Sequence, residues 1–156
     1  MTGVHHILDV APPAGAKSVD LGALTRNAGS TQGSHVHANG LAAVQAAADF
    51  PVVAPATLVG LPRQDVRLVG KSDSKAALVV YGHGLGAIIV LERKADSSAT
   101  AGVMGGLPQV SLDGVTAHEL STQLGTILSW DRGGVSYVLA GSVPAAAAES
   151  AARALQ

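Results

Sequence analysis

Short apolar segments separated by turn residues fill the chain from Val66 onward. Such segments, rich in Val and Ile, are typical of an antiparallel meander. Asp113-Gly114 and Arg132-Gly133-Gly134 are predicted to be hairpin turns, because glycine adopts positive φ at little cost. The longest break, at residues 95–106, is predicted to be a loop. In chain order the segments read VRLVG, ALVVYG, AIIVLERK, PQVSLDG, VTAHELS, TILSWD and VSYVLAG.

A helical period precedes the strands. Residues 40–49 place apolar side chains on one face, and Asn39 can cap the first turn with its side-chain oxygen. Pro51 ends the pattern, because proline lacks a backbone N–H. Residues 51–62 are predicted to be an extended connection over the core. The predicted apolar positions are Leu41, Val44, Ala47 and Ala48 in the helix, and Val52, Val53 and Leu58 in the connection.

A second helix is predicted at the C-terminal end, over residues 143–155. Ser142 is the expected cap and Pro144 suits the first turn. Glu149 and Arg153 lie four residues apart and can form an ion pair. The predicted apolar face consists of Val143, Ala147, Ala151 and Leu155.

Together these elements predict an α+β fold, in which a curved antiparallel sheet of about six strands carries both helices on one side. Residues 1–39 have a different character. They contain the stretches APPAGAKS and NAGSTQGSHVHANG, which are rich in small and polar residues and show no period. We therefore expect residues 1–39 to be a tail or linker and residues 40–156 to be the folded domain.

Composition agrees with a folded chain and narrows the possible partners. Of the 156 residues, 47% are apolar and 13% are charged, which is the balance of a globular domain. A net charge of −1 provides no broad electrostatic footprint for nucleic acid. The chain contains no cysteine, so disulfides and thiolate metal sites are excluded. No signal peptide is predicted at the start, and no segment suits a membrane helix.

The stretch GHGLGA, residues 82–87, has the spacing G-x-G-x-x-A of a dinucleotide-binding turn. That turn needs a helix after it, with the helix N-terminus facing the pyrophosphate. The following residues, Ile88 to Val90, are β-branched and favour a strand instead. The sequence therefore predicts that GHGLG joins two antiparallel strands and binds no nucleotide.

Histidines provide the candidate metal or catalytic residues. His35 and His37 lie two apart and would share one face of a strand, so they could bind a metal with a further ligand. His83 and His118 lie in the predicted folded part. Glu119 is adjacent to His118 and should face the opposite side of its strand, so the two cannot easily cooperate. The further ligand could come from His5, His6 or Asp20, or from His83 or His118.

The remaining aromatic and charged side chains are predicted to be structural. Trp130 alternates with Leu128, and Tyr137 alternates with apolar neighbours on the next strand. Trp130 should therefore lie on the covered face of the sheet near the last helix. Glu92, Arg93 and Lys94 are expected to form a solvated strand end. No catalytic residue, cofactor or required metal is predicted.

The stretch LSWDRGGVSYVLAGSVPAAAAESAARAL resembles a C-terminal domain of unknown function in bacterial, chiefly actinobacterial, extracytoplasmic proteins. Those proteins are anti-sigma factors and LolA/RseB-like lipoprotein-carrier-type regulators. The similarity extends over roughly residues 45–156, and LDVAPPAGAK resembles the end of a preceding carrier-like domain. The resemblance implies an extracytoplasmic location and a piece of a longer protein.

Two functional hypotheses follow from the sequence. The first is a non-catalytic regulatory or binding domain of the cell envelope, which acts on a protein or lipidated partner through the edge or the concave face of its sheet. The second is a small metal-dependent enzyme or metal-binding protein that uses His83 and His118, or His35 and His37. Convergence of three or more of these side chains in one cleft would favour the second hypothesis.

Overall fold

The computed structural model describes residues 37–96 and 105–156, which all belong to one compact unit. This part of the chain forms nine strands and two helices, in agreement with the α+β prediction. In chain order the elements are β1 Ala38–Asn39, α1 Leu41–Ala47, β2 Thr57–Leu58, β3 Leu61–Lys71, β4 Ser74–Tyr81, β5 Ile88–Lys94, β6 Gln109–Leu112, β7 Val115–Thr122, β8 Gly125–Arg132, β9 Val135–Gly141 and α2 Ala145–Ala154.

The sheet is larger than the predicted six strands. Strands β3 to β9 correspond to the seven apolar segments, and β3 begins five residues before Val66. Strands β1 and β2 have only two residues each; β2 pairs with the start of β3, and β1 pairs with Arg67 and Leu68 further along it. Segments that short carry no periodic signal, and the prolines around β2 favoured a connection instead. Asn39, assigned to the tail or linker by its sequence, lies in β1 and pairs with Arg67.

All strand pairs are antiparallel, but the sheet is not one continuous meander. Its order is β1-β3-β4-β5-β9-β8-β7-β6, with β2 beside β3. Strands β3 to β5 form one set of neighbours and β6 to β9 form another. After β5 the chain enters the second set at its far edge, and β9 then pairs along the whole length of β5. Two hairpin sets are thereby joined into a single sheet.

One face of this sheet, called here the inner face, carries the hydrophobic core. Cross-strand pairing aligns the buried residues Val79, Val90, Leu139 and Leu128 in one row across four strands. Val44 of α1, the 50–58 segment and the buried residues of α2 complete the same core. The expected hairpins are confirmed, since Asp113 and Gly114 have φ values of 48° and 91°.

Both helices differ in detail from the predicted ones. In α1 the N-cap is Gly40, because Asn39 is committed to β1, and Val44 is fully buried as expected. In α2 the N-cap is Pro144 without a side-chain hydrogen bond, so Ser142 is not the cap. The ion pair between Glu149 and Arg153 is confirmed, at 2.9 Å. Of the predicted apolar face, Ala151 and Leu155 are buried as expected, whereas Val143 and Ala147 are half-buried. Ala148 and Ala152 are also buried.

The GHGLG stretch joins β4 to β5, as the sequence predicts. Residues Gly84–Gly86 form a single 3-10 turn, Ala87 is extended, and β5 begins at Ile88. Tyr81 and Ile88 are direct antiparallel partners. A strand rather than an α-helix therefore follows the glycines, and the absence of nucleotide binding stays a prediction.

Gly125, the first residue of β8, provides a test of strand packing. Its φ is +150°, and a Cβ atom there would lie 2.3 Å from the carbonyl oxygen of Gly141. We expect Gly125→Ala to lower the free energy of unfolding by more than about 1 kcal/mol, because the β8–β9 pair would have to separate. Gly86→Ala is the matched control, since its Cβ meets nothing within 4 Å. Equal urea midpoints for the two variants would contradict this packing.

Candidate functional site

The outer face of the sheet, opposite the core, is also apolar. Cross-strand pairing aligns one continuous row of aliphatic side chains over five neighbouring strands. Its members are Val80, Ile89, Ala140, Ile127 and Leu120. Ile89 and Leu120 are 43% and 40% exposed, and the other three are half-buried. Both described helices contribute their buried residues to the inner face, so this row lies on the side away from them.

A second row beside the first changes from apolar to polar along its length. Leu78, Leu91 and Val138 pair in register across β4, β5 and β9. The row then continues through Ser129 and His118 on β8 and β7. The outer face therefore has an aliphatic centre with a polar corner near the β6 edge.

That polar corner forms a shallow depression of about 400 Å³, lined by His118, Ser129, Asp131 and neighbouring residues. A serine, a histidine and an aspartate there suggest nucleophilic chemistry by residue type. However, the His118 Nδ1 atom is buried and has no hydrogen-bond partner. Asp131 instead accepts a hydrogen bond from the Ser136 hydroxyl. A catalytic histidine needs a group that orients it, so this corner does not form a triad.

The other histidines do not join His118. His83 is exposed on the β4–β5 connection, three strand positions away from β7, which is a separation of roughly 14 Å across the sheet. His37 is exposed, whereas His5, His6, Asp20 and His35 lie outside the described residues. Within residues 37–96 and 105–156, no three His, Cys, Asp or Glu side chains are grouped as metal ligands.

Glu92 is the main correction to the sequence prediction. It was expected in a solvated strand end with Arg93 and Lys94, but its side chain is fully buried. Glu92 lies on the inner face, in register with Ala77 on one side and Tyr137 on the other. The alternation of residues along β5 could have predicted this burial, because Ile88, Val90 and Glu92 share one face of the strand.

The Glu92 carboxyl group connects the sheet to the segment that covers it. Its Oε2 atom accepts a hydrogen bond of 2.8 Å from the Val53 backbone N–H, while Oε1 is buried without a partner. Burial raises the pKa of Glu92 to about 7, although the Val53 hydrogen bond acts in the opposite direction. The arrangement fixes residues around Val53 against the inner face of the sheet.

Two tyrosines share the environment of Glu92. Burial, and then the negative charge of Glu92, raise the pKa of Tyr81 to about 12. Burial and the same charge also raise the pKa of Tyr137. The Tyr81 hydroxyl and the Trp130 Nε1 atom are buried without hydrogen-bond partners. Both side chains are enclosed in the core, since Tyr81 is 0% and Trp130 is 1% exposed.

No family model, curated protein or solved structure matches this chain. None of the described helices is long and apolar enough to cross a bilayer. The proposal below is based on the outer face and its polar corner.

Proposed function

We propose that this chain is a non-catalytic binding domain that takes up a protein partner on the outer face of its sheet. The observation that carries this proposal is the aliphatic row across β4, β5, β9, β8 and β7. In a folded domain, apolar rows of this kind normally face a core, and contiguous apolar surface marks interaction sites. This sheet already has its core on the other face.

Polar side chains around the aliphatic centre support the same proposal. Asp65 and Arg67 form an ion pair at the β3 side. Arg93 and Asp131 lie in register on either side of the buried Ser136, in a row beside the aliphatic ones. An apolar centre with a polar rim is the usual composition of a protein–protein interface. The rim would fix the orientation of the partner, while the centre supplies the apolar contact.

The face is a better candidate than the edges of the sheet. The edge strands β1 and β6 have only two and four residues. Short edge strands offer few free backbone groups for strand addition. Partner binding through side chains of the face is therefore favoured over extension of the sheet.

The proposal includes the cell envelope as the place of action. Support comes from the resemblance of residues 45–156 to domains of anti-sigma factors and LolA/RseB-like lipoprotein-carrier-type regulators. The partner would then be a protein or lipidated protein of the envelope, and the domain would act by binding it. Catalysis is the less favoured hypothesis, because the described histidines do not converge.

The test introduces a charge into the centre of the face. Ile89→Lys should weaken partner binding at least about tenfold, since a partly exposed apolar contact becomes a buried charge in the complex. A photo-crosslinking side chain at Ile89 identifies the partner in cells, and titration of the purified pair gives the Kd. The matched control is Ser150→Lys, which adds the same charge to the exposed side of α2.

Two outcomes would contradict this proposal. Equal affinities of Ile89→Lys and Ser150→Lys would show that the face is not the binding surface. Hydrolase turnover of the purified chain that disappears in His118→Ala would instead establish the catalytic hypothesis. Both measurements require only that the variants retain the thermal midpoint of the parent chain.

A further inference from the structure

Three separate turns expose aliphatic side chains at the same end of the sheet. Leu85 in the β4–β5 connection and Leu124 in the β7–β8 turn are 87% and 86% exposed, and Val59 in the β2–β3 turn is 44% exposed. Side chains of this type are rarely presented to solvent so completely at adjacent sites. These turns, together with residues 141–144 after β9, are called here the tip.

Pairing and hydrogen bonds place these turns side by side. The Gly82 N–H donates to the Pro62 carbonyl at 2.9 Å, which joins the β4–β5 connection to the start of β3. Leu85 and Leu124 line one shallow depression of about 510 Å³ together with the residues after β9. The exposed leucines therefore project from one continuous surface rather than from unrelated loops.

Charge is concentrated at the opposite end of the sheet, and Arg63, which lies next to the tip, donates a hydrogen bond to the Ala54 carbonyl. The tip segments, residues 59–60, 82–87, 122–125 and 141–144, contain no Lys, Arg, Asp or Glu. The turns at the other end carry many charges, among them Lys71, Asp73, Lys94, Asp113 and Arg132. The charged end of the sheet is therefore suited to solvent. The tip segments can be buried in an apolar phase without burying a Lys, Arg, Asp or Glu side chain.

We propose that the tip dips into the surface of a lipid bilayer, with Leu85 and Leu124 among the acyl chains. Apolar side chains that project from turns can insert into the fluid acyl chains of a bilayer. A protein partner would need a groove of matching shape to bind them. Uncharged polar side chains at the tip, such as Gln123 and Ser142, can lie at the headgroup level. The domain then stands on the membrane with its charged end in solvent.

This contact is weak, reversible and independent of lipid charge. Burying one exposed leucine side chain in hydrocarbon changes an equilibrium constant by roughly ten- to hundredfold. Two leucines alone therefore give an association comparable to a single lipid anchor, which needs a second signal for stable attachment. Because the tip lacks basic side chains, binding should not depend on anionic lipid or fall with salt.

The experiment measures flotation of the purified full chain with phosphatidylcholine vesicles, with and without phosphatidylglycerol. We expect the double variant Leu85→Ser, Leu124→Ser to lose at least about a hundredfold in partition coefficient. The control is Lys71→Ser, Asp73→Ser, which changes the same number of exposed residues at the opposite end without changing net charge. Its partition coefficient should equal that of the parent chain.

A fluorescence measurement tests the same contact independently of the serine variants. Leu85→Trp places an indole at the tip, and its emission should shift to the blue on addition of vesicles. The native Trp130 is 1% exposed, so its own signal should change little. Both tip leucines are more than four-fifths exposed, so these substitutions should leave the thermal midpoint unchanged.

Several outcomes would overturn this proposal. They are absence of flotation by the parent chain, equal flotation of the double variant, and binding that appears only with phosphatidylglycerol and disappears with salt. Sedimentation that shows a dimer of the parent chain and a monomer of the double variant would assign the tip to self-association instead. The outer-face proposal stands or falls separately, because Ile89→Lys leaves the tip unchanged.

Discussion

Raising the pH from about 4 to about 8 should lower the free energy of unfolding by about 3 kcal/mol through Glu92 alone. Burial raises the pKa of this carboxyl to about 7 in the folded protein, whereas a glutamate in an unfolded chain has a pKa of 4.5. Between these values the native state binds more protons than the unfolded state. Stability therefore decreases as pH rises through this window and changes little above it. Urea denaturation at a series of pH values measures the effect.

The variant Glu92→Gln separates this contribution from that of the other carboxyl groups. Glutamine can still accept the Val53 N–H bond, but it cannot ionise, so the loss between about pH 4.5 and 7 should disappear. Its amide nitrogen would occupy a position without a partner and cost about 1–3 kcal/mol at every pH. Glu149→Gln, which changes an α2 residue paired with Arg153, should keep the full pH dependence. A flat profile for the parent chain would place Glu92 in contact with water.

The strands were predictable because their signal is local. Short β-branched runs, separated by turn pairs such as Asp113-Gly114, appear directly in the sequence, and β3 to β9 follow from them. Their order in the sheet was not predictable to the same degree. Sequential hairpins and the observed β5–β9 pairing satisfy the same local pattern. Only side-chain packing across the whole sheet distinguishes them.

The helix predictions were wrong in detail because contacts with residues distant in sequence determine the cap of α1 and the buried face of α2. Asn39 is a good N-cap by residue type, but its backbone pairs with Arg67 in β1, so Gly40 becomes the cap. The face of α2 likewise follows from what it covers. Ala148 and Ala152 are buried, whereas the predicted Ala147 is only half-buried. In a helix this rich in alanine, several lines of residues spaced four apart are equally apolar. The spacing alone therefore does not specify which side of the helix faces the sheet.

The exposed apolar surfaces could not be predicted from the sequence, for a different reason. Ile88 and Ile89 are equally apolar in sequence, but the first is fully buried and the second is 43% exposed. Apolar residues on both faces of a strand hide which face has the core. Leu85 and Leu124 are visible as leucines within turns, yet their convergence at one end follows from pairing alone. The burial of Glu92 was predictable, because Glu92 alternates with Ile88 and Val90 along β5. The prediction of a solvated side chain was wrong because it relied on the charge of Glu92.

Trp130→Ala should lower the free energy of unfolding by about 3–5 kcal/mol, the usual cost of truncating a large buried aromatic residue. Trp130 is 1% exposed and stacks on Tyr137, with ring centroids 5.1 Å apart and planes 7° from parallel. Its strand, β8, packs against α2, as the sequence predicted for the covered face. Alanine would leave a cavity beside Tyr137, which is the cross-strand neighbour of Glu92.

Trp130→Phe provides the matched comparison and should lose less than half as much stability as Trp130→Ala. Phenylalanine keeps an aromatic ring against Tyr137 and removes the indole Nε1, a buried donor without a partner whose desolvation already costs free energy. Circular dichroism should follow both urea transitions, because the chain has a single tryptophan and loses its fluorescence in either variant. Equal midpoints for the parent chain and Trp130→Ala would show that the indole lies outside the core. Trp130 would then have to be considered as part of a binding surface.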